Sequence, residues 1–325
     1  MHVCQALLRR GAAVVGLDNL NAYYDTRLKY ARLARLGIAR ERLLYNLPVE
    51  GTQGFTFIEL DIQDAGNLNA LFAREGFSRV IHLAAQAGVR YSITNPRDYI
   101  DSNITGTFSI LEACRNFPVE HLVFASSSSV YGDSAGGPLY ENMPTDAPVS
   151  FYAASKKANE VMAHAYAHLY GIPCTGLRFF TVYGPWGRPD MAISLFARAI
   201  QEGKPIRLFN NGDLRRDFTY IDDITEGICR VADLPPGALS PPYRLFNIGR
   251  GQPVHLLDLI AALEKELGRK AILDPQPMQP GDVRQTYADT GALRQAVGYA
   301  PTISLVEGIA RFVAWWKETD ATYGA

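Results

Sequence analysis

The chain has 325 residues, enough to bury a sizeable core, and its 32 basic and 33 acidic residues are well mixed. A formal net charge of -1 leaves no global field that would attract nucleic acid or an acidic membrane. The four cysteines lack metal or disulfide spacing and no apolar run approaches the roughly 20 residues of a spanning helix, so we expect a cytoplasmic protein without a metal site.

The first residues predict the second half of a dinucleotide-binding unit. The segment "VCQALLRR" has the apolar spacing of the end of an amphipathic helix, Gly11 suits a turn, and "AAVVGLD" suits a buried strand that ends at Asp18. In a complete unit a strand and a glycine-rich loop come before this helix, and the loop binds the pyrophosphate. We expect about 15 residues of such a unit to be missing, which leaves unpaired strand edges and weak dinucleotide binding.

Short apolar runs alternate with helical stretches through the first half of the chain. The runs that we interpret as strands are "AAVVGLD", "FTFIELDI", "RVIHLAA", "HLVFASSSSVYG" and "CTGLRFFTVYG". This alternation predicts an α/β fold with a doubly wound, Rossmann-like parallel sheet that lacks its first strand and glycine loop. Ligands of such sheets bind at the carboxyl ends of the strands.

After about residue 180 the sequence becomes richer in proline, glycine and loop segments, which predicts a smaller C-terminal lobe. Helical spacing returns in "LLDLIAALEKELG" and "SLVEGIARFVAWWKE", and "YRLFNIG" suits a strand that rejoins the sheet. We assign residues 1–180 and 218–250 to the dinucleotide-binding domain and residues 181–217 and 251–325 to a substrate-binding lobe.

The segment "FYAASKKANE" carries the strongest local feature, which is Tyr152 and Lys156 at the start of a helix. Residues four apart share one helix face, so the ammonium can sit near the phenol, lower its pKa and make it a usable general base. Lys157 points about 100 degrees away around the helix and is expected to be solvated. In a chain with 17 tyrosines such a pair also arises by chance, so neighbouring motifs must decide its meaning.

Four consecutive hydroxyls in "FASSSSVYG" lie at the end of a predicted strand, at the ligand-binding edge. A hydroxyl at a strand end, followed by this tyrosine and lysine, resembles the catalytic layout of the short-chain dehydrogenase/reductase superfamily in its extended, nucleotide-sugar branch. Further segments resemble the NAD-dependent epimerase/dehydratase family, from residue 1 to about residue 316: "HLAAQAGVR", "DSNITGT", "GLRFFTVYGPWGRPDMA", "LFNNGDLRRDFTYIDDI" and "QPGDVRQTYADT". Within that family "GPWGRPDMA" and "MQPGDV" are most similar to the UDP-glucuronate 4-epimerases.

The resemblance implies roles for individual side chains. Ser127 is expected to bind the oxygen at C4 of a sugar, Tyr152 to act as the base and Lys156 to tune it. Asp18 is expected to bind the adenosine ribose and to favour NAD over NADP. The expected NAD-binding residues are Asp18, Asp61, Ile62, Ala84, Ala85, Gln86, Asn103, Tyr152 and Lys156. The expected UDP-sugar-binding residues are Ser128, Ser129, Thr181, Arg188, Arg216 and Asp282.

The implied reaction is NAD-dependent epimerisation at C4 of a UDP-sugar through a 4-keto intermediate, with UDP-glucuronate converted to UDP-galacturonate. Related 4,6-dehydratases carry an Asp-Glu acid pair just after the triad hydroxyl, and the decarboxylating branch carries a glutamate, where this chain has Ser128 and Ser129. The alternatives are a UDP-glucose or UDP-N-acetylhexosamine 4-epimerase and a non-catalytic truncated relative. The resemblance also implies a homodimer that uses the Tyr-Lys helix.

Overall fold

A computed structural model describes residues 1–133, 136–279 and 283–323. Strands and helices alternate along most of the chain. The strands are β1 (Val14–Asp18), β2 (Pro48–Glu50), β3 (Phe55–Glu59), β4 (Arg79–His82), β5 (His121–Ser127), β6 (Cys174–Phe179), β7 (Thr181–Tyr183), β8 (Pro205–Phe209), β9 (Arg215–Tyr220), β10 (Tyr243–Ile248), β11 (Pro253–His255) and β12 (Ile272–Gln276). The helices are α1 (His2–Arg9), α2 (Thr26–Ala34), α3 (Ala65–Glu75), α4 (Tyr91–Thr94), α5 (Pro96–Tyr99), α6 (Gly106–Asn116), α7 (Phe151–Tyr170), α8 (Ala192–Glu202), α9 (Ile221–Ala232), α10 (Leu256–Leu267), α11 (Gly291–Val297) and α12 (Leu305–Tyr323).

The main parallel sheet consists of two hydrogen-bonded parts. In one part β1 pairs in parallel with β3, and β2 lies antiparallel on the other side of β3. In the other part the strand order is β10-β6-β5-β4, with every pair parallel. Among the described residues β1 and β4 are not hydrogen-bonded to each other.

The predicted strands of the first half are found as β1, β3, β4, β5 and β6, and "YRLFNIG" is confirmed as β10, beside β6. The segment "CTGLRFFTVYG", predicted as one strand, is divided into β6 and β7, and β7 pairs with β9 in another sheet. The two predicted C-terminal helices are α10 and α12. The short strands β8, β9, β11 and β12 were not predicted, because proline and glycine residues interrupt the apolar alternation in that region.

Among the apolar cores that the described residues form, two are the largest. The first packs α3, α6 and α7 against β3 and β5, with Leu68, Leu111 and Phe124 at its centre. The second packs α8, α10 and α12 together, with Leu259 and Phe312 at its centre. No helix of the described residues is long and apolar enough to cross a membrane.

Candidate active site

Ser127 is the last residue of β5, a strand that is buried along almost its whole length. Its hydroxyl accepts a hydrogen bond from the backbone N–H of Ser129 at 3.2 Å and so caps the 3₁₀ turn Ser128–Tyr131. The apolar strand therefore fixes the backbone, and the serines that follow it turn their side chains toward the cleft at the carboxyl edge of the sheet.

Tyr152 lies in the first turn of α7, directly opposite this strand end. The helix begins there because Ser150 accepts a hydrogen bond from the backbone N–H of Ala153 at 3.1 Å. Burial raises the pKa of Tyr152, while a hydrogen bond from Ser127 and the charge of Arg188 lower it by a smaller amount. Ser127 and Tyr152 thus form a hydrogen-bonded pair in which the serine favours the ionised phenol.

Lys156 lies one turn further along α7 and is 3% exposed. Its ammonium donates to the carbonyl oxygen of Ala125 at 2.9 Å, and burial lowers its pKa to about 8. The expected lowering of the Tyr152 pKa by Lys156 is not found, because burial of the phenol dominates and the neighbours that oppose it are Ser127 and Arg188.

Lys157 is not the solvated side chain that the sequence predicts. Its ammonium donates to the Thr145 hydroxyl at 2.6 Å and lies 3.7 Å from a carboxylate oxygen of Glu160. The loop before α7 returns across this face of the helix, so the angular position of Lys157 alone does not bring it into water.

The predicted substrate residues surround one cavity of about 530 Å³. Its lining contains predicted residues from three parts of the chain: Ser127, Ser128, Ser129, Tyr152, Thr181, Arg188 and Arg216. Asp282 lies outside the described residues.

The charged residues among those described in the lining of this cavity are all basic. Arg32, Arg188 and Arg216 lie in its wall, and no Asp or Glu is found among the described residues that line it. Arg188 is held from outside by Asp190, whose two carboxylate oxygens accept hydrogen bonds at 3.0 and 2.8 Å. Such a wall favours a ligand with several negative charges.

The predicted cofactor residues at the strand ends meet at a second cavity of about 170 Å³. Those in its lining are Asp18, Asp61, Ile62, Ala84, Ala85 and Gln86. Asp18 accepts a hydrogen bond from the backbone N–H of Leu20 at 2.7 Å, and Asp61 accepts one from the Asn19 amide at 2.9 Å. Two carboxylates at neighbouring strand ends provide acceptors for sugar hydroxyls.

Asn103 is not in the lining of that cavity. It is fully buried, and its amide accepts from the backbone N–H of Gln86 at 2.8 Å and donates to the Gln86 carbonyl at 2.9 Å. The same amide donates to the Ser155 hydroxyl at 2.9 Å. Asn103 therefore holds the Gln86 backbone against α7, and the contact that it makes with the cavity is indirect.

Sequence reasoning missed two cations of α2. Lys29 is buried with its ammonium 3.4 Å from Asp18 and 3.1 Å from the Asn21 side-chain oxygen. Arg32 lines the larger cavity and donates to the carbonyl of Trp186. Their i, i+3 spacing on the helix after the Asp18 strand was an available signal. Gln285 and Thr286 also line the larger cavity; they lie in the segment "QPGDVRQTYADT", in which only Asp282 was assigned a role.

Comparison with known proteins identifies the family to which the chain belongs. The sequence pattern of the NAD dependent epimerase/dehydratase family matches residues 1–249. The chain belongs to this family. The family resemblance and the α/β Rossmann-like fold predicted from the sequence are thereby confirmed.

This epimerase/dehydratase family member is 42% identical over 331 residues to a probable UDP-glucuronate 4-epimerase of Rhizobium meliloti, over 98% of this chain and 93% of that protein. Its structure is similar to that of UDP-glucuronic acid 4-epimerase from Bacillus cereus in complex with UDP-glucuronic acid and NAD, with a TM-score of 0.86, 33% identity and coverage of 98% and 95% of the two chains. It is also similar to UDP-glucose 4-epimerase of Thermotoga maritima with UDP-glucose, with a TM-score of 0.82, 26% identity and the same coverage.

Proposed function

We propose that this protein is an NAD-dependent UDP-glucuronate 4-epimerase that interconverts UDP-glucuronate and UDP-galacturonate. The observation that carries the proposal is the 530 Å³ cavity, which joins Ser127 and Tyr152 to a lining of hydroxyls and arginines without a carboxylic acid among its described residues. A 4,6-dehydratase needs such an acid beside the sugar. The relatives named UDP-glucuronate 4-epimerases support the same activity.

The substrate carries a diphosphate and a carboxylate, and the three arginines of the cavity suit these charges. Arg216, together with Asp282, would bind the UDP part. Ser128, Ser129 and Thr181 would donate hydrogen bonds to the sugar carboxylate, with Arg188 beside them. This carboxylate is beta to the ketone of the intermediate and is readily lost, so it must be held where the breaking bond cannot align with the ketone.

The smaller cavity suits NAD, because Asp18 and Asp61 present acceptors for ribose hydroxyls and Ala84 and Ala85 leave room along the wall. Ile62 would pack on the adenine, and bound NAD supplies the hydride acceptor and donor for C4 of the sugar. In this assignment residues 1–180 and 218–250 bind the cofactor, and residues 181–217 and 251–325 bind the nucleotide sugar.

Tyr152 would take the proton of the sugar 4-hydroxyl and, after the 4-keto sugar has turned over and its opposite face is reduced, would return a proton to the same oxygen. Ser127 would hydrogen-bond the same oxygen while its charge changes. The buried ammonium of Lys156, held by Ala125, keeps a positive charge one helical turn from the base. The same hydrogen leaves and returns to C4, so the cycle consumes no second substrate.

We also propose a homodimer and a cytoplasmic location. Apolar side chains on the outer face of α6 and α7 are exposed: Phe108 at 47%, Val161 at 56% and Leu169 at 65%. A second copy would cover this face through a four-helix contact. The four cysteines of the described residues are all free thiols, which suits a reducing compartment.

The proposal is tested by incubating the protein with NAD and UDP-glucuronate and separating the products by anion-exchange chromatography. The expected product is UDP-galacturonate, with no pentose nucleotide. UDP-glucose and UDP-N-acetylglucosamine are assayed in parallel. Inversion of a neutral sugar alone would favour the alternative epimerases, and no product from any of the three would overturn the proposed activity.

A further inference from the structure

A buried carboxylate, Glu160, lies beneath the proposed catalytic pair and takes no part in the mechanism above. It is 2% exposed, and one of its oxygens accepts a hydrogen bond from the Ser126 hydroxyl at 2.6 Å. Both oxygens accept from the Arg178 guanidinium on β6, at 2.8 and 2.9 Å. Arg178 is itself 2% exposed, so this two-bond ion pair is enclosed by protein.

Glu160 lies on the same face of α7 as the proposed catalytic residues. Glu160 follows Lys156 by one turn and Tyr152 by two, so the three side chains lie on one face of the helix. All three contact the end of β5, where Ser126 bonds to Glu160 and its neighbour Ser127 bonds to Tyr152. The helix is therefore attached to three successive strand residues, and two of these attachments use a charged group, the Lys156 ammonium and the Glu160 carboxylate.

Arg178 extends this attachment toward the neighbouring elements. It donates to the carbonyl of Glu141 at 3.0 Å, and its guanidinium lies 4.7 Å from the centre of the Tyr131 ring. The Tyr131 hydroxyl in turn donates to the Asn247 side chain on β10 at 2.6 Å. Burial opposes the charge on Arg178, but its bonds to Glu160 dominate and raise its pKa, so the guanidinium remains charged.

We infer that Glu160 and Arg178 are positioning residues for the epimerisation, an inference that rests on the proposed function. Their ion pair joins α7 to β6, and the hydrogen bond from Ser126 to Glu160 joins the same helix to β5. Together these contacts fix the register of α7 and thereby keep the Tyr152 hydroxyl beside Ser127. A buried ion pair of this kind contributes little net stability compared with apolar residues of similar volume. Its role is therefore to position α7 rather than to stabilise the fold.

The test uses a double variant, Glu160→Leu with Arg178→Met, which removes both charges together and leaves neither stranded in the core. We expect it to fold, with circular dichroism like that of the wild type, and to show a kcat lower by about 10- to 100-fold, because small displacements of reacting groups are costly. The KM for UDP-glucuronate should change by less than about threefold, since no residue of the substrate cavity is altered. Glu160→Gln keeps one acceptor oxygen but turns an NH₂ group toward an Arg178 donor and removes the countercharge, so it should lower kcat in the same direction.

A second readout is independent of turnover. The pKa of Tyr152 is measured by ¹³Cζ tyrosine NMR, with Tyr152→Phe identifying the signal. Lys156 and Arg188 are unchanged in the double variant, so a rise in this pKa reports the loss of the Ser127 hydrogen bond. Asp223→Asn is the control, because it removes a buried carboxylate that binds the backbone N–H groups of Thr302 and Ile303, far from α7 along the chain.

We expect Asp223→Asn to lower the unfolding temperature without changing kcat or the pKa of Tyr152. A double variant that folds, keeps kcat within about twofold and leaves the pKa unchanged would overturn the inference. If the wild type converts no UDP-sugar, the proposed function fails, while the NMR titration still decides whether Glu160 and Arg178 position Tyr152.

Discussion

The phenol of Tyr152 is the group on which the proposed proton transfer depends. Burial raises its pKa, so the phenol holds its proton near neutral pH unless neighbouring groups favour the phenolate. In the described structure those groups are Ser127, through a hydrogen bond, and Arg188, through its charge. The groups that favour the phenolate are therefore residues of the substrate cavity.

Replacing Tyr152 by Phe removes the hydroxyl and leaves the ring in place. We expect kcat for UDP-glucuronate to fall by about 10³-fold, because general acid–base catalysis contributes on that order, while the protein stays folded. Steady-state kinetics measure this. Tyr45→Phe, at a half-exposed ring bonded to Asp64, is the matched control and should leave kcat unchanged. Equal activity in the two variants would rule out Tyr152 as the base.

The buried imidazole of His82 makes the fold sensitive to acid. Burial, with a smaller effect from Lys156, lowers its pKa from 6.5 to about 3, and it bonds to the Thr107 hydroxyl at 3.0 Å. The unfolded chain therefore binds more protons than the folded one between about pH 6.5 and pH 3, and stability falls as the pH falls through this window. His82 alone should cost about 2 kcal/mol between pH 7 and pH 5.

Urea unfolding of wild type and His82→Asn at these two pH values measures that contribution. The variant is expected to be less stable at pH 7, where it lacks the imidazole contact, but to lose less stability on acidification. His121, whose pKa burial lowers to about 4, is present in both proteins and cancels. The same loss of stability in both proteins would show that His82 is not the responsible group.

Helix α7 has a different proposed role on each of two faces. Its inner face carries the proposed base and the Glu160 attachment to β5, and its outer face exposes Val161 and Leu169. The sequence predicted the first task in part, because the Tyr152 and Lys156 spacing is local. It did not predict Arg178 as the partner of Glu160, since that contact joins a helix to the next strand and has no local pattern.

The outer face of α7 should determine the oligomeric state. Val161→Glu places a charge where a second copy would pack, so we expect a single chain of 35.8 kDa by light scattering, against a mass twice as large for the wild type. Leu44→Glu is the matched control, since Leu44 is 62% exposed elsewhere on the surface. A wild type that runs as a monomer, or a variant that stays a dimer, would contradict the proposed interface.

Strand β9 anchors the loops that complete the larger cavity. Asp217 is fully buried and accepts hydrogen bonds from the backbone N–H groups of Arg250 at 2.8 Å, Gly251 at 2.8 Å and Ala288 at 3.1 Å. The Ala288 segment continues from Thr286, which lines the cavity. The resemblance of "LFNNGDLRRDFTYIDDI" to the family implies a role for Arg216, but it does not mark the neighbouring carboxylate of Asp217.

Asp217→Asn replaces an acceptor by a group that also donates, facing three donors, and should loosen these loops. We expect the KM for UDP-glucuronate to rise about tenfold, with a smaller change in kcat, in steady-state kinetics. Asp213→Asn, at a carboxylate that is 82% exposed, should change neither. An unchanged KM in folded Asp217→Asn would show that the loops are held by other contacts.

The two cavities of the proposed site lie at the carboxyl ends of parallel strands. Alternation of strands and helices was sufficient to predict the parallel sheet, and the motifs at strand ends predicted part of each cavity wall. Other lining residues, such as Arg32 and Leu139, are distant in sequence and come together only in the folded chain. Their roles depend on tertiary contacts, and a local pattern does not reveal such contacts.

The central claim is that the protein removes hydrogen from C4 of UDP-glucuronate and returns it to the opposite face of the same carbon. UDP-glucuronate labelled with deuterium at C4 tests this directly, with the product examined by proton NMR and mass spectrometry. The proposed mechanism predicts UDP-galacturonate that retains the deuterium at C4. Inverted product without the label, or no product inverted at C4, would contradict it.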